Sequence, residues 1–417
     1  MKSNGANLLL VLAMALGLMI ACPDTARADQ EGFAACLDDL MVAARAEGIP
    51  GEMADGILGA LRFQPRVIEL DRAQPEFQQT FAAYLRGRVT SARVERGRAL
   101  LAQHRELLAD LARQYGVPGH YLVALWGMES DFGRFTGRMP ILDSLATLAC
   151  DPRRSDFFRA ELITALRLLE RESLTPADLL GSWAGAMGQT QFMPSAYYAH
   201  AVDGDGDGRI DLWHSPADAL ASGANYLRSL GWNSGQRWGR EVSLAADFTF
   251  ESSGLEQPLA LVEWAEQGVA QADGSALPLA DMSARLLLPM GHAGPAFLVY
   301  DNFDVLLNWN RSISFAIAVG HLADRIAGAA ALRADLSAIE TAIATSEMAA
   351  LQRRLAERGY APGEPDGILG PATRRAVREF QRASGLIPDG YPDAQTRAAL
   401  GSAADATVVQ PSIPDPE

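Results

Sequence analysis

The chain has 417 residues, of which 48% are hydrophobic and 21% are charged, and this composition is typical of globular domains. Its length is sufficient for two or three domains and a sizeable core. The formal net charge of −15 argues against a nucleic-acid partner, because such a partner would require a basic face on the protein.

Residues 1–28 have the layout of a signal peptide, with Lys2 ahead of an apolar run at 8–20 that is too short to span a bilayer. Two processing sites remain open. The Ala-Arg-Ala of 26–28 fits ordinary signal peptidase, whereas the segment 19–22 is similar to a lipoprotein box that would lipidate Cys22. The sequence favours release as a soluble protein, with a lipid anchor at Cys22 as the alternative.

Because Cys22 is either removed or lipidated, Cys36 and Cys150 are left as a pair in either case. An exported protein meets an oxidising compartment, so we expect these two residues to form a disulfide. The bond would join the first mature helix to the middle of the chain. A pair of buried free thiols is the alternative.

The chain from Gly32 to Tyr115 is predicted to be mostly helical, because apolar residues recur at spacings of three and four. The pattern is clearest at 98–114, which is predicted as one helix. Glycine-proline turns at 48–51 and 116–119 separate helices. Further helices are predicted at 156–172, 215–230 and 312–326. Strand formers at 241–250 and 285–300 predict a small β element, with a hairpin turn at 291–295.

Between Pro118 and Gly133 the sequence predicts a helix with one stripe that is apolar except at its last member. The members of this stripe are Leu122, Leu125, Trp126 and Glu129. Burial and the negative end of the helix dipole both favour the protonated form of Glu129, as a general acid requires. An exposed glutamate at a frayed helix end is the alternative.

Two loop segments follow with chemistry of their own. The segment 181–194 is rich in Gly and Ala, which permits close approach to a ligand, and its amides and aromatics suit sugar binding. The segment 203–211 has the spacing of a calcium loop, with carboxylates at Asp203, Asp205 and Asp207, a turn at Gly208 and the carbonyl of Arg209. An Asp/Gly turn without metal is the alternative.

The C-terminal part divides into an Ala-rich linker at 327–346, a module at 347–401 and a disordered tail at 402–417. Within the module, Asp389-Gly390 and Thr396 repeat the spacing of Asp366-Gly367 and Thr373. The module resembles a three-helix peptidoglycan-binding domain, with an unrelated helical hairpin as the alternative. We expect the linker to act as a flexible tether.

The order of motifs from about 33 to 326 resembles the lytic murein transglycosylases of the membrane-bound B type, which belong to the lysozyme superfamily and cleave peptidoglycan. The motifs are Glu129, Pro152-Arg153-Arg154, Gly185-Ala186-Met187-Gly188, Gln191-Phe192-Met193-Pro194-Ser195 and Asn225-Tyr226. The resemblance implies a mainly α protein. Its catalytic region at 29–326 would be a lysozyme-like α+β domain with a helical N-terminal part, followed by the small three-helix domain.

The resemblance implies that Glu129 works alone, first as acid and then as base, on the bond from N-acetylmuramic acid to N-acetylglucosamine. The product would end in a 1,6-anhydro sugar. A hydrolytic muramidase would need a second carboxylate, for which Asp131, Asp143 and Asp151 are candidates. That hydrolase and a non-catalytic wall-binding scaffold are the alternative functions.

The resemblance also implies a sugar groove. Ser182, Gln191 and Asn310 would contact the substrate, Phe192, Tyr226 and Trp309 would line the groove, and Arg153 and Arg154 would meet substrate carboxylates or form a structural ion pair. Asp218 would close the loop around a structural Ca²⁺, with no organic cofactor. The expected setting is the Gram-negative periplasm, or the outer membrane for a lipoprotein. The expected partners of this monomer are peptidoglycan glycan strands, with cell-wall synthases or divisome proteins as candidates.

Overall fold

The computed structural model describes residues 24–73, 79–336 and 343–402. The predicted signal sequence up to residue 23, Cys22 and the tail from residue 403 lie outside the described residues. In the described ranges the helices are α1 (Asp24–Ala46), α2 (Gly51–Leu58), α3 (Pro65–Ala73), α4 (Phe81–Arg88), α5 (Ser91–Gln103), α6 (Arg105–Tyr115), α7 (Gly119–Ser130), α8 (Ile141–Ala149), α9 (Ser155–Arg171), α10 (Pro194–His200), α11 (Pro216–Ser229), α12 (Leu261–Glu266), α13 (Asp301–Trp309), α14 (Ile313–Ile326), α15 (Thr345–Glu357), α16 (Pro371–Ala383) and α17 (Ala394–Ser402). None of these helices combines the length and the apolar character that crossing a membrane requires.

The strands form two sheets. A two-stranded sheet pairs β1 (Met139–Pro140) with β2 (Leu180–Gly181). The larger sheet has the order β4 (Leu259–Ala260), β6 (Ser283–Leu287), β7 (Ala296–Val299), β3 (Gly239–Leu244), β5 (Val269–Gln271). β6 and β7 are antiparallel, with Arg285 opposite Val299, so the predicted hairpin at 291–295 is confirmed.

The central element of the fold is α7, and the predicted apolar stripe understates its burial. Every residue from Tyr121 to Met128 is buried, because α5, α6, α11 and α14 pack around the helix. The chain leaves α7 through left-handed backbone at Asp131, Phe132 and Gly133. Glu129 therefore lies in the last turn of a core helix and is half-buried.

The predicted single helix at 98–114 is wrong, because the chain breaks at His104 into α5 and α6. The imidazole of His104 lies against Trp126, with ring centroids 5.8 Å apart. α5 packs on α7 and α14, whereas α6 packs on α7 and α11. The change of direction lets the two halves reach different partners, which one straight helix could not do.

A second hydrophobic core lies between the N-terminal helices and the pair α8 and α9, with Phe33, Leu37, Leu145 and Leu166 among its members. The structure contains the disulfide between Cys36 in α1 and Cys150 at the end of α8, with Cα atoms 5.9 Å apart. The bond closes a sequence separation of 114 residues. The N-terminal helix is thus held to the same core that supports the loop at 181–194.

The C-terminal module, defined here as residues 343–402, contains the predicted repeat in its hydrogen bonds. The amide of Gln352 donates to Asp366 and Thr373 and accepts from the N–H of Gly367. Gln381 does the same with Asp389, Thr396 and Gly390. Each half is therefore closed by one buried glutamine that bridges an Asp-Gly turn and a threonine.

The module is docked on the main region, defined as residues 24–336, through one face of α16. Arg374 and Arg378 are buried, at 9% and 8% exposure, and Arg382 follows one turn later. Their acceptors are the carbonyls of Leu288 and Pro289, the carboxylate of Glu256 and the carboxylate of Glu251. These contacts differ from the free tether that the sequence analysis expects, because each arginine has a partner on the main region.

One further contact joins the module to the main region, and another fixes the segment that leads to the module. Oδ2 of the buried Asp389 accepts hydrogen bonds from the backbone N–H of His292 at 2.9 Å and lies 2.6 Å from its Nδ1. In the predicted linker, the backbone N–H groups of Arg333 and Ala334 donate to Glu241. The described part of the linker up to residue 336 therefore packs on the main region, and residues 337–342 lie outside the described ranges.

Candidate active site

Glu129 and Trp309 meet where the end of α7 faces the end of α13. The indole Nε1 of Trp309 donates a hydrogen bond to Oε1 of Glu129 at 2.7 Å. Both side chains are half-buried, so the pair is shielded and still reachable from solvent. Sequence reasoning placed both residues at the site but could not pair them, because 180 positions separate them.

An aromatic cluster surrounds this pair. The ring centroids of Phe192 and Tyr226 lie 5.5 and 5.2 Å from that of Trp309. Phe192 is buried and Tyr226 is half-buried. Burial, with the charge of Glu161 adding to it, raises the pKa of the Tyr226 hydroxyl above its ordinary value. That hydroxyl therefore stays protonated at neutral pH and can donate a hydrogen bond.

The cluster borders a cleft of about 510 Å³. Its walls include the predicted site residues Arg154, Gln191, Phe192, Tyr226 and Trp309. Phe157, which is 49% exposed, and Arg311 also line the cleft. A cleft lined by aromatic and cationic side chains is suited to a sugar that carries carboxylates.

The loop at 181–194 is tied to α7 by a buried residue that sequence reasoning missed. Oε1 of Gln189 accepts from the indole Nε1 of Trp126 at 2.9 Å, and its carbonyl accepts from the hydroxyl of Ser130 at 2.6 Å. Ser130 follows Glu129 directly, so these bonds fix the last turn of α7 against the loop. The polar pattern gave no signal for this pairing, since Gln189 looks like any loop amide.

Ser182 and Gln191 hold the loop's shape. The hydroxyl of Ser182 accepts from the backbone N–H of Ala186 at 3.0 Å. Gln191 has a left-handed φ of 49° and its amide donates to the carbonyls of Thr136 and Gly188. Of these two predicted site residues, Gln191 lines the cleft, whereas Ser182 is absent from its described lining. The contact of either residue with substrate stays a prediction.

Glu161 is a buried acid in the wall of the cleft that the sequence did not point to. It is 4% exposed, and its carboxylate accepts from the backbone N–H of Ser195 at 2.9 Å and from its hydroxyl at 2.6 Å. These bonds attach the segment that follows Phe192 to α9. A glutamate on an amphipathic helix gave no sequence signal, because its partner lies 34 residues further along the chain.

Arg153 and Arg154 share a buried carboxylate, Asp71, which is 2% exposed. The Nη1 of Arg153 lies 2.8 Å from Oδ2 of Asp71, and Arg154 pairs with the other oxygen. The structural ion pair, which the sequence left as an alternative, is therefore present. Arg154 also borders the cleft, whereas Arg153 is absent from its described lining.

Asn310 is the C-cap of α13, and its backbone N–H donates to the carbonyl of Leu306 at 3.1 Å. Its side chain is half-buried next to Trp309 in sequence. The structure thus places this predicted residue at the helix end that carries the indole. Its role toward substrate stays a prediction.

The three candidates for a second carboxylate are engaged elsewhere. Asp131 pairs with Arg93 and Arg134. Asp143 accepts from the backbone of residue 62 and the amide of residue 64, and Asp151 pairs with Arg72. Each of these carboxylates therefore has a polar partner among the described residues.

The loop at 203–218 brings together ligand oxygens from Asp203, Asp205 and Asp218, all within 4.8 Å of one another. Asp218 is 1% exposed, and its carboxylate accepts from the backbone N–H groups of Gly204 and Asp211. Burial raises the pKa of Asp218, and the charges of the two neighbouring aspartates add to this effect. Three mutually repelling carboxylates fit a hard divalent cation such as Ca²⁺.

Asp207 and Arg209 lie differently from the predicted ligand set. Oδ1 of Asp207 accepts from the backbone N–H of Arg209 at 2.8 Å, and Asp207 is outside the cluster of three carboxylates. Asp218, by contrast, belongs to the cluster, although it lies further along the chain than the last ligand of a standard calcium loop. The helix α11, which begins at Pro216, carries Asp218 back to the loop.

Comparisons with known proteins agree with this geometry. The sequence matches the Transglycosylase SLT domain over residues 32–324 and a peptidoglycan binding domain over residues 345–400. It is 35% identical over 253 residues to the membrane-bound lytic murein transglycosylase B of Escherichia coli, covering 59% of this chain and 68% of that protein.

Two solved structures extend the comparison. The structure is similar to that of SltB3 from Pseudomonas aeruginosa in complex with NAG-anhNAM-pentapeptide, with a TM-score of 0.82 and 42% identity over 89% of this chain and 99% of that one. It is also similar to Slt35 of Escherichia coli in complex with calcium, with a TM-score of 0.60 and 30% identity over 72% of this chain and 93% of that one. The predicted fold class, a mainly helical lysozyme-like domain with a helical C-terminal domain, is confirmed.

Proposed function

The chain belongs to the lytic transglycosylases that carry the SLT domain, enzymes that act on peptidoglycan, and from this premise we propose that Glu129 is its single catalytic acid and base. The observation that carries the proposal is the shielded position of Glu129 at the end of a core helix, hydrogen-bonded to Trp309 beside an aromatic cleft.

In the first half of the reaction, Glu129 gives its proton to the oxygen that links N-acetylmuramic acid to N-acetylglucosamine, and the bond from that oxygen to the muramoyl C1 breaks. The carbonyl oxygen of the muramoyl 2-acetamido group attacks C1 from within the same sugar. In the second half, the carboxylate of Glu129 takes the proton of the C6 hydroxyl, whose oxygen displaces the acetamido group at C1. The product is a 1,6-anhydro sugar, and no water is consumed.

The occupied carboxylates around the site support a single-residue mechanism over hydrolysis. A hydrolase of the usual kind needs a second carboxylate near the sugar as nucleophile or base. Asp131, Asp143 and Asp151 have other partners, and Glu161 is committed to Ser195. The ligand in the SltB3 complex, an anhydro-muropeptide, is that protein's own, and it supports the same product here.

The remaining groove residues are proposed to bind the glycan strand. Phe192, Tyr226 and Trp309 would pack on sugar faces, while Ser182, Gln191 and Asn310 would contact acetamido groups. Arg154 borders the cleft and is only partly neutralised by Asp71, since Asp71 is shared with Arg153 and Arg72. Arg154 is therefore the better placed of the two arginines for a substrate carboxylate.

A bound Ca²⁺ would have a structural role in this enzyme. Asp203, Asp205 and Asp218 would hold it, and its charge would neutralise three carboxylates on a loop that begins three residues after α10 ends. Because α10 begins within the groove segment at 191–195, the metal would steady one wall of the cleft. Asp207 and the carbonyl of Arg209 remain proposed as further ligands.

We place the enzyme in the periplasm of a Gram-negative cell, where its substrate is found. The C-terminal module would bind the wall, and the partners would be glycan strands rather than nucleic acid. A lipid anchor at Cys22 is the alternative to a soluble form, and the relative from Escherichia coli is named as membrane-bound. Cell-wall synthases and divisome proteins are candidate partners.

Replacing Glu129 by Gln tests the proposal. The amide cannot donate the required proton, so we expect turnover of purified peptidoglycan to fall by about a thousandfold or more, while wall binding and the melting temperature stay near those of the wild type. The released muropeptides are identified by mass spectrometry.

The products separate the proposal from its rival. Wild-type enzyme should release fragments with 1,6-anhydro ends, which are lighter by one water than the reducing ends of a hydrolase. Reducing ends from the wild type would overturn the transglycosylase mechanism. Undiminished turnover by Glu129→Gln would overturn the assignment of the acid.

A further inference from the structure

The indole of Trp309 is held in place independently of any substrate. Its ring packs against Phe192 and Tyr226, and it is the last residue of α13. The direction of its N–H is therefore fixed by packing. The acceptor is one particular atom, Oε1 of Glu129, at 2.7 Å.

An indole N–H can donate a hydrogen bond but cannot accept one. Oε1 of Glu129 must therefore act as an acceptor both before and after the proton is transferred. In a protonated carboxyl group the carbonyl oxygen is the better acceptor, and the other oxygen carries the proton. We propose that Trp309 is a positioning residue that keeps the acidic proton of Glu129 on Oε2, the oxygen that serves the substrate.

The same hydrogen bond also favours the transition state of the first half-reaction. A hydrogen bond to an ionised acceptor is about twice as strong as one to a neutral acceptor. The contact between Trp309 and Oε1 therefore strengthens while Glu129 loses its proton, and an interaction that strengthens in the transition state accelerates the step. In the second half-reaction the carboxylate recovers a proton, again on Oε2, so one oxygen handles both transfers.

This inference rests on the proposed role of Glu129, and the test uses the full chain with soluble glycan oligomers as substrate. Trp309→Phe keeps an aromatic ring and removes the donor. We expect kcat to fall by about tenfold or more, with a smaller change in KM. Without the N–H, the carboxylate is less stable, so Glu129 keeps its proton to higher pH. The alkaline limb of the kcat profile should move upward by about one pH unit.

Two further variants separate the donor from the ring. Trp309→Tyr supplies a hydroxyl donor. Its kcat should be higher than that of Trp309→Phe, and the alkaline limb of its kcat profile should lie closer to the wild-type position. Replacing the indole by the isosteric benzothiophene, through 3-benzothienylalanine at position 309, removes the N–H with almost no change in shape. It should reproduce the shifted limb even if Trp309→Phe folds poorly.

The matched control is Trp264→Phe, which removes an indole N–H that donates to the carbonyl of Ala284 at 2.9 Å in the larger sheet. It should lower the melting temperature and leave the pH profile in place. The hydrogen bond to protonated Glu129 can be observed directly through its infrared C=O band, which is obtained by subtracting the spectrum of Glu129→Gln. This band should move to higher frequency when the indole donor is lost.

The outcomes are distinct. An unchanged alkaline limb in both the Phe and the benzothiophene variants, or an unmoved C=O band, would overturn the inference while leaving the proposed function intact. Reducing-end products from the wild type, or an active Glu129→Gln variant, would instead remove the proposed function on which the inference rests.

Discussion

His321 shows how a single buried ionisable residue should make the stability of this enzyme depend on pH. It lies on α14 with 7% exposure, and burial, with the charge of Arg325 adding to it, lowers its pKa to about 4. The folded protein therefore holds His321 neutral at pH values where the unfolded chain would protonate it. Between about pH 6.5 and 4 the unfolded state binds more protons than the folded state.

We expect the free energy of unfolding to decrease as the pH falls through this window, by up to about 3 kcal/mol from this residue. Denaturant unfolding of the wild type and of His321→Leu at a series of pH values measures the effect. The variant cannot titrate at this position, so the stability of the wild type relative to the variant should decline on acidification. A difference that stays constant with pH would assign the titration to another group.

At the residue scale, the sequence can single out a residue that differs from its own neighbours. Glu129 was singled out because a carboxylate ends an otherwise apolar stripe, and its catalytic role stays a prediction. Gln189 and Glu161 were missed because their meaning lies in their partners, Trp126 and Ser195, which are distant in the sequence. Periodicity also cannot show that α7 is covered on every side, since small residues such as Gly127 read as neutral.

At the scale of elements, the acidic loop at 203–218 should couple calcium to stability. At a calcium concentration of about a hundred times the Kd, binding would add about 2.7 kcal/mol, which corresponds to a rise of roughly 5 °C in melting temperature. Chelation should reverse this rise. In the proposed mechanism no step uses the metal, so the chelated enzyme should retain its activity at temperatures well below melting.

Alanine variants of Asp203 and Asp207 provide a matched test of the calcium site. Asp203→Ala removes a member of the carboxylate cluster and should abolish the calcium-dependent rise. Asp207→Ala removes a carboxylate that lies outside the cluster and should retain part of it. Differential scanning calorimetry with and without millimolar calcium decides between them. A wild-type melting temperature that does not respond to calcium would contradict the metal site.

Helices with a clear periodicity of apolar residues were predicted well. Elements whose bounds depend on packing against several other helices were not. α9, α11 and α14 lie within one residue of their predicted bounds, because each presents an apolar face between clear start and stop signals. The break at His104 had no such signal. It arises because α5 and α6 pack on different helices, and that information is absent from a local stretch of sequence.

At the scale of the whole molecule, the docked module should change which substrates the enzyme handles. Truncation before Met348 should leave turnover of short soluble muropeptides nearly intact and reduce release from intact sacculi by about tenfold or more, because the local concentration of the groove at the wall is lost. Parallel assays of the full-length and truncated enzymes at low concentration measure how much activity each loses on the two substrates. Equal losses on both would mean that the module is part of the catalytic fold.

A pair of variants on α16 separates docking from wall binding in the same assays. Arg378→Ala removes the contact with Glu256 and should loosen the junction, seen as a larger radius of gyration in solution scattering. Arg375→Ala removes an exposed arginine of the same helix and should behave as the wild type. The sequence could not predict the docking, since arginines spaced by one turn look like a solvated face until their acceptors on the main region are known.

The repeat inside the C-terminal module has a consequence for how its sequence can drift. Gln352 and Gln381 close the two halves with equivalent hydrogen bonds, so folding constrains the sequence of both halves in the same way. Of the two Asp-Gly turns, the second contacts the main region through Asp389 and His292, while Asp366 of the first turn is exposed. Descendants of this chain should therefore accumulate surface changes faster around Asp366 than around Asp389, and two halves that began alike should grow apart unevenly.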